Sequence, residues 1–287
     1  MNHDRFIVPP DKKIRLKDYD PAFTGEFEDK EDALSKLQED VARLAKYQDV
    51  LYASNTHALL IIFQAMDAAG KDGAISHVMS GVNPQGCQVY SFKPPSPEEL
   101  DHDYLWRHAK ALPERGRIGI FNRSYYEEVL VARVHPEILE AQHLPTEAKD
   151  KHIWKNRFED INNFERFLAR NGITVLKFFL HVSKDEQKRR FLKRITTPEK
   201  NWKFSLGDVR ERAFWDDYMD AFEDAFNHTS TKWAPWHIIP ADHKWFTRAA
   251  VADIIVAKLK SLKLSYPVVT EEHRRGLLEA KALLESE

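Results

Sequence analysis

The run Ala58-Leu59-Leu60-Ile61-Ile62-Phe63 is short, free of polar residues and flanked by long polar segments. Such a run reads as a strand buried on both faces, as in a parallel sheet covered by helices on either side. Next come Gln64-Ala65-Met66-Asp67-Ala68-Ala69-Gly70-Lys71-Asp72-Gly73, mostly small residues, and then the helix-compatible Ile75-Ser76-His77-Val78-Met79. Strand, small-residue loop and helix start, in that order, aim backbone N–H groups and a positive dipole end at an anion. Lys71 adds a point charge to that cradle.

The loop departs from the phosphate-loop pattern G-x-x-x-x-G-K-[ST] at two places. Ala65 stands at the first glycine and Asp72 at the final hydroxyl, while Gly70 and Lys71 keep their positions. The missing hydroxyl leaves metal holding to carboxylates, with Asp67 and Asp72 as candidates. An ordinary strand-to-helix turn with a solvated lysine is the competing reading, and this stretch alone does not separate the two.

Around the loop, strands alternate with helices. Residues 1 to about 25 read as an arm on the surface, punctuated by Pro9, Pro10, Pro21 and Gly25. Leu34, Leu37, Val41, Leu44, Tyr47 and Leu51 recur at helical steps and predict a helix from Glu26 to Ala53. Further strands are expected at 88–92, 117–121, 173–180 and 236–240. Helices are expected from Glu98 through Arg107, between Thr146 and Arg170, from Asp208 to Phe226, from Lys244 to Leu262 and in the tail after Pro267. This alternation predicts a three-layer α/β fold with a parallel sheet, and the loop after the first core strand points to the P-loop kinase arrangement. No repeat or low-complexity linker divides the chain, so a single domain is expected over 1–287.

The composition narrows the function classes. A net charge of −2 rules out a whole-molecule attraction to polyanions, so any such ligand needs a local basic patch. The single cysteine, Cys87, leaves no intramolecular disulfide, and the N-terminus lacks an apolar signal core. The longest apolar runs fall short of the roughly 20 residues of a membrane helix. A cytoplasmic protein without membrane or nucleic-acid partners is expected.

Three segments carry candidate chemistry, all expected at one end of the sheet. The first is the loop, with Asp67 as metal ligand or acceptor-positioning group (or a turn aspartate) and Lys71 as phosphate ligand. The second is Asn122-Arg123-Ser124-Tyr125-Tyr126-Glu127-Glu128, just beyond a strand's carboxyl end, where open α/β sheets bind ligands. Arg123 offers a bidentate fork for phosphate, or pairs with Glu127 or Glu128. Asn122 holds a position where a carboxylate is usual, and Glu127 or Glu128 would supply the missing charge. The third is the basic stretch Lys188, Arg189, Arg190, Lys193, Arg194, Lys200 and Lys203, with Glu199 its one acid. Arg190 and Arg194 share a helix face, and the stretch reads as a lid over about 184–207 closing on a phosphorylated substrate. Phosphoryl transfer asks for this combination of positioning, metal and positive charge.

With these residues assembled, the chain resembles polyphosphate kinase family 2 in its single-domain form, from about Tyr19 to Tyr266. The likeness is carried by the loop segment 64–73, Val82-Asn83-Pro84-Gln85-Gly86, Asp103-Tyr104-Leu105-Trp106-Arg107, Ile120-Phe121-Asn122-Arg123-Ser124-Tyr125-Tyr126-Glu127 and Trp202-Lys203-Phe204. It implies a thymidylate kinase-like fold with a helical lid, and phosphoryl transfer from inorganic polyphosphate to AMP or ADP. Mg²⁺ is the implied cofactor, with Mn²⁺ as substitute, and guanine nucleotides are further acceptor candidates. Carried over by position, Asp67, Lys71 and Arg123 are the expected catalytic residues. Ala68, Ala69, Gly70, Asp72, Gly73, Arg190, Arg194 and Lys203 would join Lys71 and Arg123 in holding phosphate. Asn122, Glu127 and Arg107 would join Asp67 at the nucleotide, and Asp67, Asn122 and Glu127 are the metal candidates. Asn122 departs from the aspartate of many members and resembles the subgroup acting on both AMP and ADP. A homo-oligomer, dimer or tetramer, is expected. An ATP-dependent nucleotide kinase of the same fold and a non-catalytic polyanion-binding module are the alternatives.

Overall fold

The computed structural model describes residues 1–10, 12–25, 27 and 29–287, with Lys203 described in its backbone only. In chain order the larger elements are α1 (Lys30–Ser54), β1 (Ala58–Gln64), α2 (Lys71–Val78), β2 (Cys87–Ser91), α3 (Pro97–Leu100), α4 (Trp106–Lys110) and β3 (Ile118–Asn122). They continue with α5 (Val131–Val134), α6 (Pro136–Glu140), α7 (Ile153–Arg170), β4 (Ile173–His181), α8 (Lys184–Ile195) and α9 (Leu206–Glu211). Last come α10 (Trp215–Thr229), β5 (Trp236–Pro240), α11 (Lys244–Ser261) and α12 (Glu271–Glu285).

The strands form one parallel sheet in the order β2-β3-β1-β4-β5. β1 lies at its centre, with Ile61 opposite Ile120 on β3 and Leu176 on β4. Every residue of β1 is buried, as its unbroken apolar run requires. α1, α2 and α11 cover one face, and α7 and α10 the other. The expected three layers are therefore observed.

The two sheet edges differ. β2 is half-exposed along its length. β5 is capped instead by the N-terminal arm, where Val8 N–H donates to Trp236 O (2.9 Å) and Ile238 N–H to Phe6 O (2.8 Å). Phe6, Val8 and Leu16 are buried, so this arm is part of the core rather than a strap on the surface.

Some expected boundaries shift for local reasons. The helix read from Glu26 begins at Lys30, capped by the Asp29 carboxylate accepting from Asp32 N–H; Glu26 itself lies outside the described residues. The helix expected from Glu98 through Arg107 is interrupted. Ser96 and Glu99 close a capping box on the four-residue α3, and Asp103 then accepts from Leu105 N–H before α4. α7 starts at Ile153 rather than Thr146, and the helix read from Asp208 to Phe226 divides into α9 and α10. No helix among the described residues is long and apolar enough to cross a membrane.

Candidate active site

β1, β3 and β4 run parallel, so their carboxyl ends share one edge of the sheet, and the candidate residues gather there. From β1 the chain turns through Ala65–Gly70 into α2. Gly70 is the N-cap of α2 with φ +112°, a conformation that side chains resist. Ala68 (φ +60°) and Arg123 (φ +65°) are also left-handed without being glycine. Two strained residues facing one site mark a backbone held in place by its surroundings.

Part of that hold comes from α8. Gln187 Nε2 donates to Asp67 O (2.9 Å), and Arg190 Nη1 donates to Ala68 O (3.0 Å) and Ala69 O (2.6 Å). In a trans peptide the N–H opposes the C=O, so these bonds turn the N–H groups of Ala68 and Gly70 away from α8, toward the open side. Arg190 also donates through Nη2 to Ala241 O (2.5 Å) and Asp242 O (3.1 Å), and through Nε to Glu186 (2.7 Å). It is buried and saturated by protein acceptors. The structure therefore gives it the task of bracing the phosphate loop from behind, not the open position expected of a phosphate ligand.

Lys71 lies almost buried at the start of α2, its Nζ donating to Ala65 O (2.9 Å). Arg123 follows β3 and reaches Asp67 Oδ1 (2.9 Å), with Glu127 at 3.8 Å from its other nitrogen. Asn122 Nδ2 donates to Asp72 Oδ1 (2.8 Å). Loop and post-strand cluster are thus tied by two direct contacts. Burial, then the Arg123 charge, pulls the Lys71 ammonium below the usual lysine range, while Asp67, Glu127 and Asp72 oppose this. Burial raises the Glu127 carboxyl above its usual range, against the pull of Arg123 and Lys71. The Glu127 charge in turn is the largest cause holding the Arg123 guanidinium above its ordinary value. Lys71 and Arg123 thus stand among three carboxylates, Asp67, Asp72 and Glu127, at a partly exposed edge where a phosphate could meet both cations.

A cleft of about 350 Å³ opens beside Asp67, Arg123 and Glu127. Leu130, Val131 and Phe222 give it apolar walls, and His135, Glu211 and Tyr218 line it with polar groups. Tyr218 Oη and His135 Nε2 both meet Glu211 (2.8 and 2.9 Å). From the segment expected to form a lid, Arg194 lies 3.9 Å from Asp208 of α9. Burial, then the charge of Asp67, raises the Asp208 carboxyl above its usual range, against the pull of Arg194 and Arg123.

Other expected residues stand elsewhere. Arg107 donates to Lys93 O (2.8 Å) and stacks over Phe92 beyond the end of β2, outside the Asp67–Arg123 cluster. Glu128 faces away, paired with Arg157 (3.3 Å). The side chain of Lys203 lies outside the described residues. Among the described residues no group of three or more His, Cys, Asp or Glu forms a ready metal cage. Asp67 and Asn122 still offer hard oxygens beside the loop, which suits a divalent ion arriving with phosphate oxygens and most of its waters.

Sequence reasoning missed a buried support beneath the second cluster. Lys177 of β4 donates to Glu165 (2.6 Å), Tyr126 Oη (2.8 Å) and Thr229 O (2.8 Å), and Glu165 also accepts from the hydroxyls of Tyr125 (2.9 Å) and Tyr126 (2.8 Å). Tyr125 and Tyr126 stand two and three residues after Arg123, so the network pins the turn that carries it. Its one sequence signal was a lysine interrupting the apolar Val175-Leu176-Lys177-Phe178-Phe179.

Known proteins resemble this chain over most of its length. Residues 27–266 match the model of the family described as Polyphosphate kinase 2. The chain is 52% identical over 281 residues to an ADP-polyphosphate phosphotransferase of Rhodopseudomonas palustris, covering 98% of this chain and 97% of that one. It is 45% identical to an AMP/ADP-polyphosphate phosphotransferase of Meiothermus ruber, covering 92% and 95%. The crystal structure of Polyphosphate Kinase 2 from Arthrobacter aurescens superposes with a TM-score of 0.85 at 42% identity, over 93% of each chain. With the phosphate loop, the parallel sheet and the matched length in agreement, the chain belongs to the polyphosphate kinase 2 family.

Proposed function

We infer that the chain transfers phosphoryl groups between inorganic polyphosphate and an adenine nucleotide, AMP or ADP, reversibly and with a divalent metal. The observation that carries this reading is the meeting of Lys71, Arg123 and Asp67 at the edge of a cleft with apolar walls. The loop N–H groups and Lys71 would hold the donor's terminal phosphate, and Arg123 would neutralise charge on the migrating group. The cleft beside Asp67 would take the acceptor, its base against Leu130, Val131 and Phe222. Mg²⁺, or Mn²⁺ in its place, would sit at Asp67 with help from Asn122, and when bound it would neutralise phosphate charge.

The test is incubation with AMP, then with ADP, plus polyphosphate and Mg²⁺, followed by separation of the nucleotides. Formation of ADP or ATP supports the proposal, whereas turnover with ATP alone as donor sinks it. Guanine nucleotides in the same assay define base selectivity. A homo-oligomer belongs to the same proposal: Leu277, Leu278, Leu283 and Leu284 of α12 are exposed, and light scattering would count the subunits.

A further inference from the structure

A second flank of the phosphate loop, where α11 meets α2, gathers cations in excess of the carboxylates near them. α11 packs on α2, and Arg248 Nη2 comes within 3.6 Å of where a side chain on Gly73 would begin. One turn before it, Lys244 feels the charges of Arg190, Arg248 and Lys200, opposed by that of Glu186. Among the described residues, the side chain of neither Lys244 nor Arg248 donates a hydrogen bond or forms an ion pair. The carboxylates within reach are committed: Glu186 is bonded to Arg189 and Arg190, and Asp242 accepts from Ser183 N–H (2.7 Å). Burial, then the neighbouring arginines, brings the Lys244 ammonium down to about 8. Like charges in excess of the nearby carboxylates oppose one another, and an anion laid between them removes that opposition.

We propose that Lys244 and Arg248, with Lys200 above them, form a ledge for the distal phosphates of a long polyphosphate whose end is held at Gly70–Lys71. This rests on the donor assigned above and adds a preference to it: long chains span loop and ledge together, and short ones gain less. The ledge is built from charge alone, which suits a repeating anion, since every unit of the polymer offers the same oxygens.

The experiment compares long-chain polyphosphate with tripolyphosphate as donor, using wild type, Lys244→Met, Arg248→Met and the double variant. The double variant is expected to raise KM for the long chain about tenfold, against about twofold for tripolyphosphate, with kcat on the long chain near wild type. The slope of log affinity against log salt for the long polymer should flatten by about 1.4, at roughly 0.7 per lost contact for a single-stranded polyanion. Lys244→Arg and Arg248→Lys, which keep the charge, should retain the long-chain KM. Equal loss on both donors, or no change on either, would overturn the ledge. If wild type uses no polyphosphate, the functional reading falls separately. Direct binding of long polyphosphate to wild type and double variant then decides, equal affinity overturning the ledge.

Discussion

Two buried lysines stand on neighbouring strand systems, and their surroundings are opposite in kind. Lys177 is 0% exposed and meets a carboxylate, a hydroxyl and a carbonyl, one for each of its three protons. Lys71 is 9% exposed and donates to one carbonyl of its own loop. The first is a closed account of hydrogen bonds. The second keeps donors in reserve beside a left-handed, small-residue turn. Saturation marks a lysine that holds the fold, and a spare donor in a dry setting fits the ligand-holding role proposed for Lys71.

The largest effect should come from breaking the saturated side. Lys177→Met leaves Glu165 buried without its cation and is expected to lower unfolding free energy by about 3–5 kcal/mol in a urea titration. Adding Glu165→Gln should recover part of that loss. The unsaturated side should answer in rate instead. Lys71→Ala is expected to reduce turnover about 100- to 1000-fold, or about 2.7–4 kcal/mol of barrier, while moving unfolding free energy by less than about 1 kcal/mol. Comparable losses of stability at the two lysines would erase the distinction. Arg123→Lys keeps the charge but not the fork that reaches Asp67 and Glu127. It should cost about tenfold in turnover, read from steady-state rates with folding verified by circular dichroism.

The smallest and most diagnostic effect concerns pH. The folded Lys71 has its pKa below the unfolded value of 10.5, so the folded state resists its protonation. Stability linked to Lys71 therefore rises with pH from the folded pKa toward 10.5 and is lost on going down through that window. Activity that needs the ammonium runs the other way and should fall in the same window. Lys71→Arg should push the alkaline limb of the rate profile upward while lowering the plateau. An unchanged limb in that variant would show that Lys71 does not set it.

The loop, the parallel strands, Asp67, Lys71 and Arg123 were legible because each obeys a local rule. An apolar run, a Gly-Lys turn and a polar cluster after a strand do not depend on distant residues. What escaped depends on which way a helix turns. Arg190 and Arg194 are four apart, and that spacing says they share a face without saying what the face meets. Folding sets Arg190 against the carbonyls of Ala68, Ala69, Ala241 and Asp242, whereas Arg194 remains near Asp208. Lys244 and Arg248 have the same spacing and read as an ordinary closing helix. Only the parallel order of β5 beside β4 brings their end of α11 to the edge where the loop lies. Lys177 was hidden for a third reason: strand patterning foresees an inward position but not the tyrosines and glutamate waiting there.

The grip of α8 on the phosphate loop would limit how the lid expected over 184–207 could travel. Gln187 and Arg190 fasten the first two turns of that helix to the very backbone that must stay curled. Those turns cannot swing without uncurling it. A door built this way has its hinge leaf screwed to the frame, so the swinging panel begins beyond Arg190, and amide exchange should be slow up to that residue and faster from Lys193 to the lid's end. Donor entry and exit would then proceed with the catalytic turn left assembled from one cycle to the next.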